Sequence, residues 1–413
     1  MDINFCLRES MRFEVFGASS IEDHGKFVYK NYIGNVPYIS EHCFIDEFNK
    51  LISEYNIKFI IPTHDSVALF LIENQEKISA TIVSSELETT RICRYKSLTY
   101  KAFKEHKFIP ATFDANSIYE FPVFLKPDSG QGGKDTHRVS NYEELRYHLT
   151  LNSELLICEY LPGEEITVDC FTDRKSSILL ISPRTRDRIS AGISVHSKLI
   201  DLSDEIKEIA IIINETLRFR GYWFFQLKKD SSGVYKLLEI STRMAGTFNL
   251  SANRDINLPL LSLLDFMNLD LEILPNNYQI EMDRSFINRY HVDIEYERIY
   301  VDLDDTLILR NQYCNEFLLM YLFQCLNKKK EIILITRHSE NVHDTLSYYK
   351  IDPQMFSQII QLNISESKSR FINTDVKSIF IDNSFAERKE VKEKLQIPTF
   401  DINNIECLID WRG

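Results

Sequence analysis

Residues 155–169, Leu-Leu-Ile-Cys-Glu-Tyr-Leu-Pro-Gly-Glu-Glu-Ile-Thr-Val-Asp, change character halfway along. Residues 155–160 read as a short apolar strand and residues 166–171 as a second, with alternation through Thr167, Val168 and Asp169. Pro162 and Gly163 break the ladder between them, leaving backbone N–H and C=O groups free amid the carboxylates of Glu159, Glu164 and Glu165. Such an edge can pair with a planar heterocycle; taken alone, the same residues also suit an acidic hairpin facing water. The chain on either side separates the two readings.

Upstream, residues 121–134 form an apolar strand ending in Lys126, then a turn Ser129-Gly130-Gln131-Gly132-Gly133. A charge at the end of such a strand is costly unless an anion awaits it. In the turn, missing side chains let backbone N–H groups approach phosphate oxygens. Downstream, residues 222–229 and 234–246 read as a hairpin around a turn at 230–233, which puts Gln226 and Glu239 on one face. Ser241 and Arg243 continue the face of Glu239. Mg²⁺ prefers oxygen ligands and shares some with nucleotide phosphates, so a few protein oxygens suffice, Glu239 first among them.

Lysine, glycine turn, acidic hinge and paired oxygen ligands, in that order over roughly residues 94–259, resemble the ATP-grasp superfamily, most closely its carbamoyl-phosphate-synthase-like branch. The resemblance implies ATP and Mg²⁺ as cofactors, with Mn²⁺ as the alternative ion. It carries phosphate contacts to Lys96, at the start of a helix over 95–104, and to Lys126, Ser129, Gly130, Gly132 and Gly133. It assigns Glu159 and the Leu161 backbone to the adenine edge and Glu165 to the ribose hydroxyls. Gln226, Glu239 and Ser241 would face the metal, Ser241 standing where relatives often have Asn, and Arg243 would contact phosphate. A mobile lid, about 118–157, would close over ATP and exclude water. Arg184, Arg186, Arg188 and His196 form a basic patch that is either an exposed strand face or a holder of the carboxylate substrate or phosphoryl group.

Residues 1–92 alternate strands (12–17, 58–62) with a helix (44–55), the rhythm of a small Rossmann-like pre-ATP-grasp domain. Thr63, His64 and Asp65 follow the second strand at its carboxyl end, where open α/β sheets place ligands, although a structural role suits His64 better. Relatives begin with one more strand and a glycine loop; here residues 4–10 read as the tail of the first helix, so the first strand is expected to be missing.

Residues 299–308, Ile-Tyr-Val-Asp-Leu-Asp-Asp-Thr-Leu-Ile, open a separate βαβ pattern, with buried strands at 332–336 and 378–382. Acids after the first strand, Thr336 after the next, then Lys368 and Asp382, resemble the haloacid-dehalogenase (HAD) superfamily over roughly 297–413. The resemblance implies Asp302 as nucleophile on phosphorus and Asp304 as general acid and base. Thr336 and Lys368 would hold phosphoryl oxygens, and Asp302, Asp304 and Asp382 the Mg²⁺. Asn383 replaces the second acid of many relatives, with Glu387 farther along. One helix, 313–326, separates the first two motifs, so no large cap fits there, and the open site takes a large substrate or needs a roof. Arg337 and His338 either select substrate or start a helix.

The 413 residues thus divide into 1–92, 93–292 and 297–413, of mixed α/β and α+β class: pre-ATP-grasp, ATP-grasp with lid, and a Rossmannoid HAD-like domain. A formal charge of -13 argues against nucleic-acid partners. No apolar run approaches a membrane span, and eight scattered cysteines suggest neither zinc nor disulfides, as in a reducing cytoplasm. The expected function is a bifunctional enzyme. An ATP-dependent carboxylate–amine ligase, acting through an acyl phosphate, is fused to a phosphatase acting on a phosphorylated metabolite; a homodimer is compatible. The alternatives are a nucleotide binder whose HAD-like part senses or docks, and a kinase.

Overall fold

Two antiparallel four-stranded sheets are built from residues 112–241 in a computed structural model that describes residues 1–115, 120–130 and 132–412. One runs Thr112–Phe113, Leu156–Glu159, Val123–Lys126, His137–Val139, and its apolar side packs on the helix Tyr142–Leu151 through Val123, Leu125, Val139, Leu145 and Ile157. The other runs Ile178–Thr185, Glu165–Thr172, Gly221–Lys229, Tyr235–Ser241. Strand alternation explains its two faces. Ile166, Val168, Cys170, Trp223, Phe225 and Leu227 join Ile206, Ile209 and Ile213 of the helix Asp204–Thr216 in one core, while Thr167, Asp169, Phe224 and Gln226 point the other way. A three-stranded sheet, Arg188–Ser190, Ile193–Lys198 and Glu281–Asp283, lies in the same unit. Gln131 and positions 118–119 of the expected lid lie outside the described residues.

The chain divides into two compact units, Met1–Lys26 with Asn31–Phe286, and Phe27–Lys30 with Ile287–Gly413. Residues 1–26 and 31–92 are thus grouped in one unit with residues 93–286. Leu7, Val83 and Leu263 share a buried cluster, and Ser84 donates to Thr242. The segment 1–92 does not form one Rossmann-like sheet among the described residues. It has two separate parallel pairs, Phe16–Ala18 with Asn31–Ile33 and Phe59–Ile60 with Thr81–Ile82, whose strands are too short to present a continuous buried face. Asp2–Leu7 is helical, and the helix Phe44–Glu54 follows.

The second unit is a parallel sheet ordered Gln358–Gln361, Glu331–Thr336, Arg298–Val301, Ser378–Ile381, Thr399–Phe400. Its central strands are buried on both faces, as their apolar runs Ile299–Val301, Ile332–Ile335 and Ile379–Ile381 require. The hairpin Ile308–Leu309/Tyr313–Cys314 and the helix Glu316–Asn327 are what separates the first strand from the next. Among the described residues, no helix is long and apolar enough to cross a membrane.

Candidate active sites

In the first unit, Lys126 ends its strand only 6% exposed, and its Nζ donates to the Tyr100 hydroxyl at 2.5 Å. Burial lowers its pKa, with the charges of Cys158, Glu239 and Glu165 opposing. Lys96 opens the helix Lys96–Ala102, and burial lowers its pKa too, with Glu239 opposing and Lys126 adding to the effect. Neither ammonium has a carboxylate within ion-pair distance among the described residues, so two desolvated cations face a place where an anion would be stabilised.

Gln226 and Glu239 stand directly opposite each other on neighbouring strands, in one row with Thr167 and Arg184 across all four strands. Among the described residues neither Gln226 nor Glu239 has a side-chain hydrogen bond or ion pair, which suits oxygen donors awaiting a cation. No group of three or more His, Cys, Asp or Glu side chains converges as a metal cage there or elsewhere among the described residues. Ser241 and Arg243 lie beyond Glu239 but are already held. Asp65 accepts from the Ser241 hydroxyl at 2.6 Å and from Arg243 Nε at 2.7 Å. Burial alone would raise the Asp65 pKa, but the Arg243 guanidinium and Ser241 hydroxyl bring it below the ordinary value. His64 caps the helix Asp65–Glu73, its Nδ1 accepting from the Ser66 N–H, a structural role.

The hinge keeps a free edge: Leu161 is buried, yet neither its N–H nor its C=O has a partner among the described residues. Glu159 instead accepts from the Ala111 N–H at 2.8 Å. Glu165 is engaged by Arg186 at 2.7 Å and Lys228 at 3.4 Å, so a ribose contact would require it to exchange partners. The basic patch does not act as one surface. Arg184 is buried against Asp169, with Nε at 2.6 Å from Oδ2 and Nη2 at 3.1 Å from Oδ1, and Arg188 reaches Asp283 on the surface. Asp169 also accepts from Tyr222, and Arg184 donates to Thr247. His196 contacts Glu281 at 2.6 Å.

The glycine turn is rooted by Asp128, whose carboxylate accepts from the Ser97 N–H and hydroxyl at 2.7 and 2.8 Å, and by Arg94, which donates to the Ser129 carbonyl. Gly132 and Gly133 have φ of 64° and 66°, the left-handed region that glycine enters without strain. Gly130 precedes them, and a side chain at Gly192, in the turn before Ile193–Lys198, would lie 1.9 Å from the Gly132 carbonyl oxygen.

In the second unit, Asp302, Lys368 and Asp382 meet in the interior. Lys368 Nζ is 2.6 Å from Asp302 Oδ1 and 2.7 Å from Asp382 Oδ2. Burial pushes the Asp302 carboxyl up to about 6 against the pull of Lys368, and raises Asp382 as well. Burial disfavours the Lys368 charge, but the two carboxylates outweigh it and raise its pKa. Thr306 donates to Asp302 Oδ2 at 3.2 Å and accepts from the Asn383 N–H, a bridging role that the sequence alone does not assign. Thr336 ends its strand 3.5 Å from Asp304 Oδ2. Glu387 is taken by Arg337 in a bidentate pair at 2.8 and 3.0 Å, so it does not replace the missing acid at Asn383, and Arg337 is not free to select substrate.

A family model described as "ATP-grasp in the biosynthetic pathway with Ter operon" matches residues 152–285. The chain is 25% identical over 177 residues to D-alanine–D-alanine ligase B of Clostridium perfringens, a match covering 37% of this chain and 59% of that protein. It spans well under two thirds of that relative's length. A biotin carboxylase β,γ-ATP complex from Campylobacter jejuni has a similar fold, with a TM-score of 0.55 at 14% identity, over 66% of this chain and 69% of that one. So does an L-amino acid ligase from Bacillus licheniformis, with a TM-score of 0.51 at 16% identity, over 63% and 70%. ATP-grasp ligases use ATP and Mg²⁺, and the lysines, free hinge edge and unpartnered oxygens found here are of the kind those ligands need. The chain therefore carries a mixed α/β ATP-grasp fold, and the residues matched by the family model, 152–285, lie within the first unit.

Proposed function

We propose that this protein is an ATP-dependent carboxylate–amine ligase joined to a phosphomonoester phosphatase. The observation that carries the ligase reading is that two desolvated lysines without an ion pair, Lys96 and Lys126, feel the charge of Glu239, which with Gln226 has no side-chain partner among the described residues. In this reading the Leu161 backbone pairs with the adenine, Lys96, Lys126 and the turn at Ser129–Gly133 hold the phosphates, and the strand-and-helix lid covers them. Mg²⁺ held by Glu239 and Gln226 would neutralise phosphate charge. The substrate carboxylate takes the γ-phosphoryl group; the amine then displaces phosphate from the acyl phosphate, leaving an amide, ADP and phosphate. The relatives named as D-alanine–D-alanine and L-amino acid ligases support this class of reaction. Placement in the carbamoyl-phosphate-synthase-like branch rests on the order of the motifs.

The phosphatase reading rests on Lys368 between Asp302 and Asp382 at the carboxyl ends of parallel strands. One buried ammonium and two buried carboxylates leave a net negative charge, which suits a divalent cation beside Asp302 and Asp382. Asp302 attacks phosphorus while Asp304 gives its proton to the departing ester oxygen. Asp304 then takes a proton from the water that frees phosphate from Asp302. Two assays on the full chain test the reading. Pairs of carboxylates and amines are screened for ADP release with product mass, and a phosphomonoester panel is screened for phosphate release with Mg²⁺. Amide product and phosphate release are expected. ADP with a phosphorylated acceptor and no amide would make it a kinase, and a silent phosphomonoester panel would leave the second unit a sensing or docking module.

A further inference from the structure

Asp304 has a half-exposed side chain, 54% accessible, and a carboxylate so placed would sample several rotamers unless held. An acid–base group must instead be aimed at its oxygen. The holding group is His338. Its ring is 10% exposed, with Nδ1 2.7 Å from Asp304 Oδ1 and Nε2 2.8 Å from Thr345 Oγ1. Its backbone is pinned as well: the N–H donates to Thr336 Oγ1 at 3.1 Å, and the carbonyl accepts from Gln361 Nε2 at 2.9 Å. A helix-start role does not explain this placement. The following helix, Val342–Tyr348, is capped by Asn341, whose Oδ1 accepts from the His343 and Asp344 N–H groups.

We propose that His338 is a positioning residue of the phosphatase site, fixing the Asp304 carboxylate so that its Oδ2 faces the ester oxygen that leaves phosphorus. In this role the ring proton sits on Nδ1, whose N–H donates to Asp304 Oδ1, while Nε2 accepts from the Thr345 hydroxyl. Oδ2, with only the longer Thr336 contact, carries the proton that moves. As the bond from Asp302 to phosphorus forms and the ester P–O bond breaks, that proton passes to the departing alkoxide. In the second half, Asp304 regains a proton from the attacking water as the Asp302–phosphorus bond breaks. The inference rests on the phosphatase reading.

The test compares kcat/KM, which reports the first phosphoryl transfer, on p-nitrophenyl phosphate and on a simple alkyl phosphate, for the full chain with Mg²⁺. A nitrophenolate leaves without a proton, whereas an alkoxide needs one. His338→Ala is expected to lower the alkyl-ester value roughly 10²-fold, the lower end of what general acid catalysis contributes, while the nitrophenyl value changes less than about threefold. Thr345→Val, which removes only the Nε2 partner, is expected to show the same selectivity at smaller size and serves if His338→Ala does not fold. The Mg²⁺ concentration for half activation should not move. Equal losses on both esters, or none on either, would overturn the positioning role while leaving the phosphatase reading intact. A wild-type protein inactive on both esters would sink the phosphatase reading and this inference with it.

Discussion

Two carboxylates and one ammonium share a pocket in which Asp302, Lys368 and Asp382 are all at most 5% exposed. The charge on Asp302 opposes folding, because its folded-state pKa lies above the ordinary carboxylate value, while the raised pKa of Lys368 acts the other way. The penalty is absent below about pH 4, where the group is protonated in both states, grows as pH rises, and is complete above about pH 6. Asp302→Asn should therefore stabilise the metal-free protein by on the order of 1 kcal/mol at pH 7 and by almost nothing near pH 4. Urea unfolding across that range checks the sign; a loss of stability at pH 7 would contradict it. Asp65 is the opposite case, since its carboxylate satisfies Arg243 and Ser241. Asp65→Ala should cost about 3 kcal/mol in thermal or urea unfolding and raise the KM for ATP, because the guanidinium loses its anchor. The sequence exposes Lys126 through the cost of a lysine ending an apolar strand. It hides Asp65, which meets Arg243 across 178 residues, since nothing local distinguishes an engaged carboxylate from a solvated one. Glu165 is hidden likewise, its partner Arg186 lying in the loop between Ile178–Thr185 and Arg188–Ser190 and its partner Lys228 on the strand Gly221–Lys229.

The hinge and the hairpin are the elements on which the nucleotide site turns. Period-two patterning and the turn at 230–233 are enough to put Gln226 and Glu239 on one face; that they stand directly opposite each other comes from the register. Pro162 and Gly163 were enough to mark where the ladder stops, between Leu156–Glu159 and Glu165–Thr172. The approach of the glycine turn to Gly192 was not readable, because a contact between two loops leaves no periodic signal. It makes a clear prediction. A methyl group at Gly192 meets backbone, which cannot swing aside as a side chain can, and Gly192 has a φ of 73°. Gly192→Ala should displace the glycine turn and raise the KM for ATP by roughly tenfold or more, without altering phosphomonoester hydrolysis. An unchanged KM would mean that the turn does not depend on this contact for its position.

At the scale of the molecule, the division into two units has a thermodynamic consequence. Each unit has its own buried clusters, so cooperative unfolding is expected unit by unit rather than once for the whole chain. Asp302→Asn should shift one calorimetric transition and Asp65→Ala the other. A common shift would show that the units melt together. The most direct test is one pair of assays on the same full-length preparations of wild type, Lys126→Ala and Asp302→Asn, following ADP formation and phosphomonoester hydrolysis with Mg²⁺. Loss of ADP formation alone in Lys126→Ala, with loss of hydrolysis alone in Asp302→Asn, is the predicted result. Both activities surviving in either variant, or both vanishing together in each, would contradict two separate phosphoryl sites on one chain.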